Sequence, residues 1–305
     1  MASEIDRPFD SHMYAFLNLM VRLGSCIPFR VCQFLGRMLG GAFSLIVLGR
    51  TEVSLHNLGR AFKDSLSERE IRRLNRRVIT HFGEMFFEIP HILRLNSENL
   101  ERYVRFENEE NLLSAQAKGK GVFILTGHFG NWELMSAATC LRYAPRSAVV
   151  ARPLDFSPAD RLMADLRSRF GTVIIPKQGA VKGILKVVKQ RGMVGILLDQ
   201  NVAWYEGVFV PFFGNLACTN KGLALLALKT GAPVVPVFSV RDHDGRYRVI
   251  FEKEVNLIRT GDMTRDVEEN TALFTKIIER FIREYPDHWF WFHKRWKTRP
   301  FSPLP

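Results

Sequence analysis

The stretch Gly121-Val122-Phe123-Ile124-Leu125-Thr126-Gly127-His128-Phe129-Gly130-Asn131-Trp132-Glu133 decides how the rest of the chain is read. Val122 to Thr126 is a short apolar run, the pattern of a strand buried on both faces. A helix-like run follows from about Trp132 to Arg142. Between them, Gly127 and Gly130 provide backbone freedom for a turn, and Asn131 is placed to cap the new helix. His128 therefore leaves the end of a strand, with Glu133 five positions on. In one continuous helix those two would stand roughly 140° apart around the axis, so contact between them requires the turn. With it, Glu133 sits in the first helical turn and points back at His128. A carboxylate that holds a neutral imidazole in one tautomer makes it a general base for a hydroxyl. The bland alternative is a loop histidine bonded to its own backbone beside a solvated acid, and a bare His-x4-Glu does not separate the two.

Downstream of Lys118-Gly119-Lys120-Gly121 the chain alternates between strand-like and helix-like runs. The strands are Val122–Thr126, Ser147–Ala151, Val173–Ile175, Val194–Leu198 and Val234–Val240. The helices lie near Trp132–Arg142, Pro158–Phe170, Ala180–Gln190 and Asn220–Thr230. This alternation predicts an α/β fold, a mixed and mainly parallel sheet with helices on both faces. Arg246 to Phe251 follows the Asp244-Gly245 hairpin signal and adds an antiparallel strand. A long helix from about Thr264 to Tyr285 precedes an aromatic and basic tail, Trp289 to Arg299.

Upstream, the pattern is helical. Residues 1 to 12 carry Asp6, Arg7 and Asp10, unlike the basic start of a secretory signal. Met13–Val21 and Met38–Leu48 are strongly apolar, punctuated by Arg22, Arg30, Arg37 and Arg50. Neither run reaches the roughly 20 residues that span a bilayer. Paired amphipathic or re-entrant helices at a membrane surface fit better than two ordinary core helices, with arginines reaching anionic headgroups. From Arg50 to Ile92 the chain reads as helix with a turn near Lys63–Glu68, where Ser67 and Glu70 form a capping box. His81 and Glu84, three apart on this helix, read as a surface or structural pair. The expected organisation is membrane-associated helices over 1–49 and a catalytic domain over 50–305, helical to 118 and α/β beyond.

The chain has 305 residues, 47% of them hydrophobic, enough for a large core. A net charge of +12 implies an anionic partner: nucleic acid, a membrane, or an acidic substrate or carrier. No zinc finger or RRM signature accompanies it, which makes nucleic acid the weakest of the three. Cys26, Cys32, Cys140 and Cys218 have no CxxC spacing and read as reduced thiols. HExxH, P-loop and GxSxG motifs are absent from the sequence. What remains is direct transfer by a histidine base, with no metal, no cofactor and no covalent enzyme intermediate. In a parallel sheet, ligands gather beyond the carboxyl ends of the strands. His128, Arg152 and the Asp199-Gln200-Asn201 triplet each follow a strand, and so converge on one expected cleft.

The ordered set His128-x4-Glu133, Ala151-Arg152-Pro153, Leu198-Asp199-Gln200, Pro211-Phe212-Phe213-Gly214, Thr219 and the Trp289–Lys297 tail resembles the late acyltransferases of lipid A biosynthesis. Ala232 to Val237 and the Val53-x3-Asn57 segment fit the same pattern, so the resemblance runs from about Arg50 to the end. It implies an enzyme at the cytoplasmic face of the bacterial inner membrane, moving a fatty acyl chain from acyl carrier protein to a hydroxyl of a Kdo-lipid IVA type precursor. By that resemblance His128 is the base, Glu133 orients it, and Arg152 stabilises thioester charge or holds an anionic part of the substrate. Asn131, Asp199, Gln200 and Thr219 are expected to contact substrate. Related glycerolipid acyltransferases carry a Pro-Glu-Gly-Thr block where Leu198–Asn201 stands here, which argues against a glycerol phosphate acceptor. Within the enzyme class the runner-up acylates another membrane glycolipid or phospholipid, such as a phosphatidylinositol mannoside. Two other classes remain open: a non-catalytic lipid-binding protein and a nucleic-acid binder. Acyl chain length depends on an apolar groove expected to be lined by several of the 24 phenylalanines.

Overall fold

The computed structural model describes residues 8–46, 48–143 and 146–300. Asp6, Arg7 and Val47 lie outside these described residues. Strand β2 (Val122–Thr126) runs parallel to β5 (Met193–Leu197), β5 to β3 (Ser147–Ala151), and β3 to β4 (Thr172–Pro176). On its other side β2 pairs in parallel with β8 (Val234–Arg241). The chain then turns at Gly245 into antiparallel β9 (Tyr247–Phe251), which takes β1 (Val104–Glu107) in parallel at the edge. The seven-stranded order is β1-β9-β8-β2-β5-β3-β4, mainly parallel as its alternating pattern predicts. β2 is buried along its whole length. Its alternating side chains feed two cores, Phe123 and Leu125 on one face, Val122 and Ile124 on the other.

Helices α5 (Glu109–Ala117), α6 (Trp132–Tyr143), α7 (Ser157–Ser168), α8 (Ala180–Lys189), α9 (Gly222–Thr230) and α10 (Met263–Glu284) connect or cover the strands. The sequence did not announce β1, nor the antiparallel ribbon of β6 (Gly207–Phe212) and β7 (Asn215–Asn220). The ribbon turns at Phe213-Gly214, both at positive φ. A phenylalanine there carries no turn signal; its backbone N–H is held by Glu279 at 2.7 Å, a tertiary contact.

Four helices precede the sheet: α1 (Pro8–Cys26), α2 (Phe29–Ile46), α3 (Leu48–Phe62) and α4 (Glu68–Glu88). The expected capping box forms, with Ser67 and Glu70 bonding each other's backbone N–H. α2 packs against α4 through Gly36 and Gly83, where a Cβ on either would come within 2.5 Å of the other's carbonyl oxygen. Only glycine permits that approach. No single described helix is long and apolar enough to cross a membrane; α1 and α2 together are, but they bend by 119° at the break between them. Phe16, Leu19, Leu23, Phe34 and Met38 stand exposed on this pair.

His81 and Glu84 are structural, and both are buried instead of lying on the surface. Glu84 takes Arg37 at 2.7 Å and Arg241, and Arg241 also meets the His81 ring at 3.1 Å. One turn on, the fully buried Glu88 accepts from Gln33, Arg241, Tyr247 and Asn131 at 2.7–3.0 Å. This carboxylate joins α2, α4, β8, β9 and the turn after His128. Removing one partner of such a buried pair leaves uncompensated charge. Glu88→Ala is therefore expected to lower unfolding free energy by about 3–5 kcal/mol, measured by chemical denaturation against wild type.

Candidate active site

β2 ends at Thr126 and delivers His128 to the carboxyl edge of the sheet, and the neighbouring β5 delivers Asp199 to the same edge. The two meet. His128 Nδ1 lies 2.9 Å from Asp199 Oδ1, and the His128 backbone N–H donates to Asp199 Oδ2 at 2.9 Å. The indole N–H of Trp289 donates to Oδ2 at 2.7 Å. Asp199 is 2% exposed. Burial alone would raise its pKa, but the adjacent imidazole and these donors together bring it down to about 2. An ionised carboxylate only accepts hydrogen bonds, so Nδ1 carries a proton toward Asp199 and Nε2 points away from it. Gln200 Nε2 stands 3.3 Å from both ring nitrogens.

The tail from His288 to Phe290 holds this turn in place. Gly130 N–H donates to the His288 carbonyl at 2.8 Å, and Phe290 N–H to the His128 carbonyl at 2.9 Å. Gly130 is required twice over, by its φ of 58° and by the Ser239 carbonyl, which a Cβ would meet at 1.8 Å. Gly127 has a different role from the one its flexibility implies: it makes room for Asp199, whose Cγ would lie 3.1 Å from a Cβ there.

The expected His128–Glu133 contact does not form. Glu133, 6% exposed, faces α7, where Arg167 grips it through Nη2 at 2.5 Å and Nε at 2.9 Å. Trp132 Nε1 adds a bond at 3.0 Å. Glu133 belongs to the helix after the turn and the imidazole's Nδ1 is already taken by Asp199, so the carboxylate that meets the imidazole comes from the end of another strand. Asn131 caps α6 by accepting from Leu134 N–H at 3.0 Å, as expected, but it is fully buried on Glu88 and so is structural instead of a substrate contact. Thr219 is likewise fully buried, bonded to Arg295. Arg152 is exposed at the cavity rim and paired with Asp155. Asp199 is buried behind the histidine, while Gln200 faces the cavity.

A cavity of about 1610 Å³ opens onto His128. Phe82, Phe86, Phe87, Phe290 and Phe292 line it, as do Trp132, Met135, Ser136, Thr139 and Cys140 of α6. Ile124, Ala148, Met193 and Gly195 contribute from the sheet. Phenylalanines thus line part of it, but the part between α6 and the sheet is lined by small and aliphatic residues. There Cys140, Ser147 and Thr172 bond one another at 3.0–3.2 Å.

The sequence reading missed Arg167, Trp289 and Arg295, and set His293 aside as structural. Arg295 is fully buried beneath the site, bonded to the Cys218 carbonyl at 2.8 Å and to Thr219. Burial lowers its pKa to about 10. His293 lines the cavity and accepts the Asn201 N–H at Nε2, and burial lowers it to about 4. For Trp289, His293 and Arg295 the only sequence signal was the aromatic-basic mixture of the tail, and Arg167 on α7 carried none.

A strand-end imidazole backed by a buried carboxylate thus stands on the wall of a deep, largely apolar cavity. Residues 5–298 match the model of the bacterial lipid A biosynthesis acyltransferases, and the chain belongs to that family, an acyl-transferring enzyme. It is 26% identical over 276 residues to a lipid A biosynthesis lauroyltransferase of Escherichia coli K12, covering 90% of this chain and 88% of that protein. It is 28% identical to the palmitoleoyltransferase of the same organism, covering 90% and 87%. A phosphatidylinositol mannoside acyltransferase of Mycolicibacterium smegmatis matches 61% of this chain and 60% of its own length at 27% identity.

Two outcomes follow from this geometry. His293 is held neutral, with a folded pKa of about 4 below its ordinary 6.5, and His81 is shifted the same way by burial. The unfolded chain binds more protons between these values, so stability falls as pH drops from about 6.5 to about 4. His293→Gln should flatten that slope in a series of thermal melts. Arg167→Met, which strands Glu133, should destabilise more than the double variant Arg167→Met with Glu133→Gln, a difference that chemical unfolding of the three proteins reads directly.

Proposed function

We propose that this acyltransferase moves a fatty acyl chain from acyl carrier protein to a hydroxyl of a Kdo-lipid IVA type lipid A precursor at the cytoplasmic face of the inner membrane. The observation that carries the reading is the His128–Asp199 pair at 2.9 Å on the cavity wall. Nε2 of His128 takes the hydroxyl proton as the oxygen attacks the thioester carbonyl. The imidazolium then formed faces the ionised Asp199, which stabilises it without itself taking the proton. Collapse of the tetrahedral intermediate breaks the carbon–sulfur bond, and the thiolate recovers that proton. No covalent enzyme intermediate is needed, and the acyl carrier protein is a co-substrate, not a resident cofactor. Glu133 serves by fixing α6 to α7 through Arg167. Gln200 fits a hydrogen bond to the reacting groups, and Arg152 fits an anionic part of a substrate at the rim.

The acyl chain occupies the apolar part of the cavity between α6 and the sheet. Cys140 lies eight residues along α6 from Trp132, about 12 Å at the helical rise. The exposed apolar residues of α1 and α2 rest in the membrane interface, presenting the cavity mouth to an acceptor that never leaves the leaflet. A second acceptor class is favoured by one finding, the similarity to a phosphatidylinositol mannoside acyltransferase.

The test is an assay of purified protein with acyl carrier protein bearing chains of several lengths, offered tetra-acylated lipid A precursor or a mannosylated phosphoinositide. Transfer to the first acceptor is expected. His128→Ala should lower kcat by about 10²–10⁴-fold, and Asp199→Asn should lower it more than Glu133→Gln does. A His128→Ala variant that turns over like wild type would sink the mechanism, and transfer only to the phosphoinositide would sink the acceptor. Ser136→Phe, about 6 Å past Trp132 along α6, should shift preference to shorter chains in the same assay.

A further inference from the structure

α4 carries a second face that the acyl-transfer site does not use. Arg69, Arg73, Arg76 and Arg77 stand exposed along it, in a groove of about 780 Å³ completed by Arg37 of α2 and Arg241. The acids in this groove are Glu84, held by Arg37 and Arg241, and Asp287, held by His288 at 3.1 Å and reached by Arg77 at 3.6 Å. Among the described residues Arg69, Arg73 and Arg76 form no ion pair, whereas their neighbour Arg72 holds Glu68 at 2.7 Å. The nearest acid, Glu70, is turned to the Ser67 cap and acts on Arg73 only at a distance. Like charges gathered with so little counter-charge repel one another and destabilise the folded chain unless an anion comes to them.

The position of the groove indicates which anion. α2 lies antiparallel on α4, with Gly36 over Gly83 and Gly40 over Ile79. Its outward stripe is apolar and exposed: Val31 at 44%, Phe34 at 59% and Met38 at 63%. One flank of α2 carries Arg37 into the groove, and the other carries Leu39 and Gly40 into the catalytic cavity. An apolar ridge thus runs between a row of arginines and the cavity. When such a ridge enters the acyl boundary of a leaflet, cations beside it sit at the depth of the phosphates. A soluble acidic protein seated in the same groove would have α2 between itself and the cavity.

We propose that the α4 arginine groove binds the headgroup phosphates of anionic membrane lipids and so sets the orientation in which the cavity mouth meets the leaflet. This rests on the reading that α1 and α2 contact the membrane. Guanidinium groups suit the role because they remain charged and pair with phosphate oxygens through two N–H groups at once.

The experiment is sedimentation of the full chain with vesicles of phosphatidylcholine alone or mixed with phosphatidylglycerol in equal parts. Wild type would be run beside Arg69→Gln/Arg73→Gln/Arg76→Gln and Phe34→Ser/Met38→Ser, each checked for an unchanged melting temperature. Wild type should prefer the anionic vesicles, and the arginine variant should lose that preference by roughly a hundredfold, about fivefold per cation. It should keep wild-type transfer to acceptor dispersed in detergent. The apolar variant should bind both vesicle types less. Wild type that binds both vesicles equally, or an arginine variant that keeps the anionic preference, overturns the proposal alone. Wild type that binds neither overturns the membrane reading beneath it. An arginine variant with unchanged vesicle binding but a raised KM for acyl carrier protein reassigns the groove to the carrier.

Discussion

One buried carboxylate holds together the carboxyl edge of the sheet onto which the large cavity opens. Asp199 accepts from the His128 ring, the His128 backbone and the Trp289 indole, and is kept ionised by them although it is almost wholly out of water. Without those donors the charge would be untenable at that depth. The three donors come from the turn after β2 and from the C-terminal tail, while the acceptor comes from the end of β5. The contact that orients the His128 ring and a tertiary junction are therefore the same set of hydrogen bonds.

A second buried carboxylate does comparable work on the other side of the turn. Glu88 takes Asn131, which caps α6, together with Arg241, Tyr247 and Gln33. Through it the N-terminal helices are fastened to the strand that carries Arg241 and to the turn that carries His128. Glycines at 36 and 83 bring α2 close enough to α4 for Gln33 and Arg37 to reach this network. The helices that bear the exposed apolar residues are thus packed onto the same scaffold as His128.

Charge and apolarity are segregated around that scaffold. The cavity wall between α6 and the sheet is mainly apolar, broken by a few hydroxyls and by the Glu133–Arg167 pair, the ridge of α2 is apolar outward, and the unpaired arginines of α4 lie along its flank. The net charge of +12 reads in composition as a diffuse property. In space one part of it becomes a row on a single helix. Five of those arginines fall between positions 69 and 77, yet linear spacing alone does not say which are already held by acids.

Much of the fold was legible in the chain because burial on both faces writes a simple pattern. The five parallel strands, the hairpin at Gly245, the capping box at Ser67 and the helix bounds follow from apolar runs, turn residues and caps, which are local properties. His128 was legible for the same reason, as a histidine at a strand exit between glycines. Its partner was not. Glu133 is nearest in sequence, but the sheet sets β5 beside β2, so Asp199, 71 residues away, lies within hydrogen-bond reach. Strand order, which depends on long-range packing and not on local pattern, also turned Asn131 and Thr219 inward. It brought Trp289 and Arg295 from the tail beneath the site. Residue types and their spacing determined that a histidine stands at a sheet edge between two glycines. Only the tertiary structure decided which carboxylate serves it, because that choice is made by the neighbours of a strand in space.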